Sequence, residues 1–123
     1  MDVTLNNVTN NVDEGTKYGY DPNAYKTAVS VTGKGDTNIE LNGNNTLTSG
    51  SGHAGLEHNK ETNSEGKETS GTLTITDNNN DGKLTANGGI DGAGIGGSEE
   101  HNGQVTITGF EINETSGNGS ASI

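Results

Sequence analysis

The segment Leu73-Thr74-Ile75-Thr76-Asp77 alternates apolar and polar side chains and ends in a residue that favours turns. Because successive side chains of a strand point to opposite faces, this pattern predicts a short strand with one buried face. The same pattern occurs at residues 3–7, 39–43 and 105–109. We therefore expect stacked parallel strands whose inward side chains form one buried sheet. Its members are Val3, Leu5, Ile39, Leu41, Leu73, Ile75, Val105 and Ile107.

Two further strands follow each of these segments. The second recurs at residues 8–12, 46–48, 83–85 and 111–113, and the third at 28–31, 54–56, 93–95 and 121–123. Residues that tolerate tight turns, mostly Gly, Asn and Asp, separate the strands. The sequence thus predicts an all-β chain that forms a short parallel, right-handed β-helix or β-solenoid, with three short strands per coil and about four coils. Stacked Asn residues such as Asn6 and Asn42 would form side-chain amide ladders.

The composition alone would indicate disorder, because only 24% of the residues are hydrophobic and the formal net charge is -11. A solenoid removes this conflict, since stacked coils need only a thin interior filled by Ala, Leu, Ile and Val. The chain contains six Lys and no Arg, which argues against a nucleic-acid partner. It has no apolar run long enough for membrane insertion, and its lack of Cys fits an exported protein without disulfide cross-links.

The glycine-rich segment Gly88-Gly89-Ile90-Asp91-Gly92-Ala93-Gly94-Ile95-Gly96-Gly97 lies between the strands at 72–76 and 103–109. This succession resembles the glycine-rich parallel β-helix repeats of surface proteins of Gram-positive bacteria. The resemblance covers most of residues 38–123 and, more loosely, the first coil. It implies a secreted or cell-surface, adhesin-like or carbohydrate-binding role. Together with the repeat pattern, it predicts a single non-catalytic module, residues 1–123, of a larger extracellular repeat protein.

Two insertions interrupt the repeat, at residues 13–27 and 57–70. Loops on a rigid scaffold often carry recognition, so a glycan or host surface is the partner class considered for them. The first insertion contains a candidate carbohydrate site, in which aromatic rings would stack on sugars and neighbouring polar groups would bind hydroxyls. This site comprises Tyr18, Tyr20, Asp21, Asn23 and Tyr25. The alternative is that the rings cover an open end or side of the solenoid.

Asp77, Asn79 and Asp81 place oxygen donors at alternate positions before Gly82, as at the start of a calcium loop. The twelfth position is Gly88, where such a loop needs a bidentate Glu. Calcium at these three residues is therefore one hypothesis, and a simple turn is the other. No other cofactor is predicted.

The three histidines, His53, His58 and His101, match no zinc spacing and occur in polar surroundings. This context favours solvated loop histidines. A polysaccharide-degrading β-helix enzyme would need clustered carboxylates, often with a basic residue. Glu40, Asp77 and Asp91 do not converge in the sequence pattern, so we expect no catalytic residues.

The chain stops partway through the repeat pattern, because the Gly-Gly that follows Ile95 has no counterpart after Ile123. An uncapped last coil would expose unpaired strand edges and apolar side chains. We therefore expect either further coils of the parent chain or end-to-end self-association, which salt would promote by screening the negative charge.

Overall fold

The computed structural model describes residues 1–12, 26–99, 101–108 and 111–116. These residues contain ten strands and no helix. The strands are β1 (Asp2–Asn6), β2 (Thr9–Asn11), β3 (Val29–Ser30), β4 (Thr37–Thr48), β5 (Leu56–Glu57), β6 (Leu73–Thr76), β7 (Gly82–Asn87), β8 (Ile95–Gly96), β9 (Thr106–Ile107) and β10 (Glu111–Thr115). Within this described part, no helix exists that could cross a membrane.

The strands pair in three parallel columns, and the long strand β4 belongs to two of them. In the first column, β1 and β6 pair with the first half of β4, and β9 pairs with β6. In the second column, β2 and β7 pair with the second half of β4, and β10 pairs with β7. The third column consists of β3, β5 and β8. The predicted all-β, parallel character is confirmed.

The third column also confirms a predicted equivalence between short, weakly patterned segments. Leu56 pairs with Val29 on one side and with Ile95 on the other. The proposed first-repeat counterpart at residues 28–31 is therefore correct. The last predicted member, at residues 121–123, lies outside the described residues.

The register between β4 and β6 differs from the sequence-based alignment by two residues. The prediction placed Leu73 beside Ile39, whereas Leu73 pairs with Thr37 and Ile75 pairs with Ile39. The second column shows the same offset, since Leu84 pairs with Asn45 instead of Leu47. A shift of two residues keeps every inward side chain inward, so alternation alone cannot distinguish the two registers.

The apolar core runs through the middle of the stack and thins towards both ends. Its members Ile39, Leu41, Leu73 and Ile75 are buried. Val3, Val105 and Ile107, which were predicted to be buried with them, are only half-buried and pack against the edge of this core. In the described residues, the end strands β1 and β9 each pair with one strand of this column, so the predicted single buried sheet is complete only in its middle.

Asn45 is a polar residue at an inward position of the second column, and it is 1% exposed. Its Oδ1 accepts the Val8 N–H at 2.9 Å, and its Nδ2 donates to the Asn42 and Lys83 carbonyls at 3.2 and 3.3 Å. These bonds satisfy the buried amide and connect three successive repeats.

The predicted amide ladder does not form between Asn6 and Asn42, although the two residues pair in register. Asn42 Oδ1 is buried and has no hydrogen-bond partner in the described part of the chain. Asn6 Oδ1 instead accepts a bond from Asn7 Nδ2 at 3.2 Å. Asn7 has φ 53 after the end of β1, and its Oδ1 accepts the Asn44 N–H at 2.9 Å.

Candidate functional site

The candidate carbohydrate site on the first insertion lies outside the described residues. It comprises Tyr18, Tyr20, Asp21, Asn23 and Tyr25. The only described positions of the predicted insertion 13–27 are its last two. Thr27 contacts the Ser49 hydroxyl at 3.3 Å, and the Lys26 carbonyl accepts the Gly50 N–H at 2.7 Å. The insertion thus rejoins the scaffold beside the end of β4.

The proposed calcium segment forms a tight turn between β6 and β7. Asp77 is 8% exposed, and its Oδ1 and Oδ2 accept the N–H groups of Asp81 and Gly82 at 3.2 and 2.9 Å. Asn80 has φ 57, while Asn79 and Asp81 are exposed. Both Asp77 oxygens are therefore engaged by the backbone of their own turn, and the described residues contain no cluster of three or more His, Asp or Glu side chains suited to a metal. The Asp77 carboxylate thus stabilises the turn, and calcium binding by Asp77, Asn79 and Asp81 stays a prediction.

Glu40, one of the carboxylates considered for catalysis, stabilises the same turn from the preceding repeat. Its carboxylate accepts the Thr76 hydroxyl at 2.8 Å and both the backbone N–H and side-chain amide of Asn78 at 2.6 and 2.9 Å. Asp91 has φ 61 and is exposed in the turn before β8. Glu40 is therefore engaged in hydrogen bonds between repeats, whereas Asp91 occupies a turn position.

The second insertion is an ordered, exposed hairpin. Thr62 and Glu68 form an antiparallel bridge, and Lys60 Nζ lies 3.6 Å from Glu68 Oε2. At its tip, Asn63 Oδ1 accepts the N–H groups of Glu65 and Lys67, each at 3.0 Å. Such local bonds define one loop conformation and leave its polar side chains facing outward.

The base of this hairpin is attached to the following repeat. Asn59 Oδ1 accepts the Ser98 N–H at 2.8 Å, and the Lys60 N–H donates to the Asn102 carbonyl at 2.7 Å. Asn59 also forms an antiparallel bridge with Gly103. The hairpin therefore has a fixed orientation relative to the columns.

The predicted start of the second insertion at residue 57 is wrong. The assignment of His53 and His58 to solvated loops is also wrong. Glu57 belongs to β5, and Glu57 and His58 are 4% and 1% exposed. His53 is partly buried, with its Nδ1 2.9 Å from Glu57 Oε1. Only His101 is exposed as expected. The insertion begins at Asn59, because His58 continues β5 as a buried residue and lies against the Val31 carbonyl of the preceding repeat.

Glu57 and His58 are the chemically notable residues that the sequence analysis missed. Glu57 Oε1 also accepts the Ala54 N–H at 3.1 Å, so this buried carboxylate has two partners on the preceding turn. The sequence does contain a signal for their burial: residues 56–58 align with residues 29–31, where apolar Val29 and Val31 bracket a polar residue. The polarity of Glu57 and His58 favours solvent exposure instead, and it conceals that signal.

No family model matches the chain, and no curated protein or solved structure matches it significantly.

Proposed function

We propose that the chain is a short, right-handed parallel β-solenoid that serves as a non-catalytic, adhesin-like structural module of an extracellular bacterial surface protein. The observation that carries the proposal is the in-register parallel pairing of all three columns. Each repeat then contacts only its neighbours, and hydrogen bonds run along the stack. Such an arrangement resists bending and suits a spacer that holds a binding surface away from a cell.

The ordered hairpin at residues 59–70 supports a recognition role for one face of this module. Its tip is exposed, and its base is fixed by Asn59 and Lys60. A rigidly presented polar loop loses little conformational entropy when it contacts a glycan or host surface. This is the partner class that we propose for the hairpin.

A carbohydrate-binding module is the second candidate, and it rests on the composition of the first insertion. Tyr18, Tyr20 and Tyr25 are three of the four aromatic residues of the chain, with Asp21 and Asn23 between them. Tyrosine rings offer apolar faces to sugars, and neighbouring polar groups bind hydroxyls. A fragment of a polysaccharide-degrading enzyme is the weakest candidate, because Glu40 and Asp77 are engaged in structural hydrogen bonds.

A glycan-array screen of the chain, with and without calcium, distinguishes these candidates. A spacer gives no binding in either condition, whereas a lectin binds a defined glycan and loses that binding in the Tyr18→Ala/Tyr20→Ala/Tyr25→Ala variant. Calcium-dependent binding that disappears in Asp77→Asn/Asp81→Asn would support the metal hypothesis. Calcium-independent binding that survives the tyrosine substitutions would assign recognition to another surface, which a deletion of residues 61–68 then tests.

Association along the stack is the other interaction that we propose, either with further coils of a parent chain or with a second copy. In the described residues, β1 pairs only with β4, so its other edge offers backbone groups to an added strand. The net charge of -11 opposes contact between copies. Sedimentation across a salt series should therefore show larger particles at high salt, and a monomer at every salt and protein concentration would contradict self-association.

A further inference from the structure

Three Asn-Gly dipeptides lie in the described part of the chain, and their surroundings differ. They are Asn42-Gly43, Asn87-Gly88 and Asn102-Gly103, whereas a fourth, at residues 118 and 119, lies outside the described residues. The peptide nitrogen that follows an Asn can attack the side-chain amide of that Asn, and glycine hinders the attack least because it has no Cβ. The attack requires a peptide N–H that is not held elsewhere by a hydrogen bond.

Backbone hydrogen bonds between repeats hold the first two pairs. The Gly43 N–H donates to the Asp81 carbonyl at 3.1 Å, and the Gly88 N–H donates to the Thr115 carbonyl at 2.8 Å. The side-chain amide of the second pair also donates, to Thr48 Oγ1 at 3.1 Å. In both pairs the attacking nitrogen must first leave its hydrogen bond, so local opening of the stack limits the reaction.

The surroundings of Asn102-Gly103 are more open, and both residues are exposed. Their bridge to Asn59 uses the Asn102 carbonyl and the Gln104 N–H, which leaves the Gly103 N–H out of the pairing. In the described part of the chain, neither the Gly103 N–H nor the Asn102 side chain has a hydrogen-bond partner. We propose that Asn102 is a modification site at which the chain deamidates spontaneously, with water as the only co-reactant.

The reaction has two steps and needs neither an oxidant nor a reductant. The Gly103 nitrogen forms a bond to Asn102 Cγ, the Cγ–Nδ2 bond breaks, and ammonia leaves with the proton of the attacking nitrogen. Water then opens the cyclic imide at one of its two carbonyls. Opening at the side-chain carbonyl gives aspartate. Opening at the main-chain carbonyl gives isoaspartate, in which the main chain runs through Cβ and is longer by a methylene group.

Isoaspartate at this position loosens the base of the hairpin in the second insertion. The Asn102 carbonyl accepts the Lys60 N–H at 2.7 Å. Gly103 packs directly on the preceding backbone, since a Cβ there would lie 2.6 Å from atoms of Gly96 and Gly97. The added methylene displaces the carbonyl from Lys60 and Gly103 from this contact. Deamidation of Asn102 therefore releases the hairpin from the repeat that follows it.

Peptide mapping by mass spectrometry, after incubation of the intact chain in mildly alkaline buffer, tests the site. In the folded chain we expect Asn102 to deamidate at least about fivefold faster than Asn42 and Asn87, the factor that corresponds to one backbone hydrogen bond. Incubation in concentrated urea is the control, because unfolding removes the difference in bonding and should bring the three rates together. Equal rates in the folded chain, or no deamidation at Asn102, would overturn the proposal.

Hydrogen exchange of the Lys60 amide tests the release of the hairpin. The Lys60 N–H should lose its protection in the isoaspartate fraction. The Thr69 N–H, which donates to the Glu61 carbonyl within the hairpin at 2.8 Å, is the internal control and should keep its protection. Asn102→Gln removes the site, since closure would need a larger ring, and should keep Lys60 protected throughout the incubation. Unchanged protection of Lys60 in the isoaspartate fraction would contradict the release.

Discussion

Strand β4 and the third column achieve burial in different ways. β4 has 12 residues and buries alternate side chains, including Ile39, Leu41 and Leu47. The described strands of the third column have two residues each. In the chain segments that adjoin these strands, glycines bring the backbones of adjacent repeats into direct contact. A long alternating strand is stabilised by stacked apolar side chains, whereas a two-residue strand cannot supply enough of them and depends on close backbone packing.

The difference extends to buried polar groups. The interior beside β4 contains mainly aliphatic side chains, and the buried amide of Asn45 bonds to backbone groups. The third column buries Glu57 and His58 as well as Leu56 and Ile95. We infer that the first two columns tolerate conservative apolar exchange, whereas the third depends on particular residues.

The largest effect is expected from a charge placed in the first column. Ile75 is fully buried between Ile39 and Ile107, so the carboxylate of Ile75→Asp would have no partner and should destabilise the chain by at least about 4 kcal/mol. Thr74→Asp is the matched control on the outward face, where we expect a change of less than about 0.5 kcal/mol. Thermal melting followed by circular dichroism measures both, and equal melting temperatures would contradict the inward and outward assignment.

A smaller loss of stability is expected when a methyl group is added at a glycine that touches the backbone of the neighbouring repeat beside the third column. A Cβ at Gly89 would overlap the Gly50 carbonyl, so Gly89→Ala should cost about 1–3 kcal/mol through forced separation of two repeats. Gly35→Ala is the control, because a Cβ there has nothing within 4 Å. That variant should be neutral or stabilised by about 0.4–1 kcal/mol through reduced freedom of the unfolded chain. Urea denaturation gives both values, and a stable Gly89→Ala would mean that close backbone packing does not limit this side.

The smallest effect concerns Asp36, which connects the start of β4 to the next repeat. The Thr72 backbone N–H donates to Asp36 Oδ1 at 2.9 Å, and this bond holds the pKa of the carboxyl below its ordinary value of 3.8. The depressed pKa means that the bond stabilises the fold above the unfolded value, and that this contribution is lost as the pH falls through the folded value. Carboxyl carbon-13 NMR should show Asp36 titrating below 3.8. Asp36→Asn should lessen the loss of stability on acidification, and an Asp36 midpoint at or above 3.8 would refute the expectation.

The sequence by itself determined the strand type, the columns and the facing of most side chains. Alternation at Leu73-Thr74-Ile75-Thr76 predicts a strand with one buried face because the side-chain period of a strand is two. Recurrence of the pattern predicts parallel neighbours, since equivalent segments stack in the same direction. Even the weak segment at residues 28–31 was placed correctly, because Val29 and Val31 keep the alternation. These properties depend on local sequence and its repetition.

The tertiary structure alone decided the register and the state of the buried polar residues. Shifting β6 by two residues preserves its alternation, so the local pattern cannot decide whether Thr37 or Ile39 is the neighbour of Leu73. His58 is polar and has polar neighbours, which favours solvent exposure in the sequence. It is buried because the Val31 and Gly71 carbonyls, 27 and 13 residues away in the chain, meet at its two nitrogens. Contacts between distant residues carry no local sequence signature, so they are visible only in the tertiary structure.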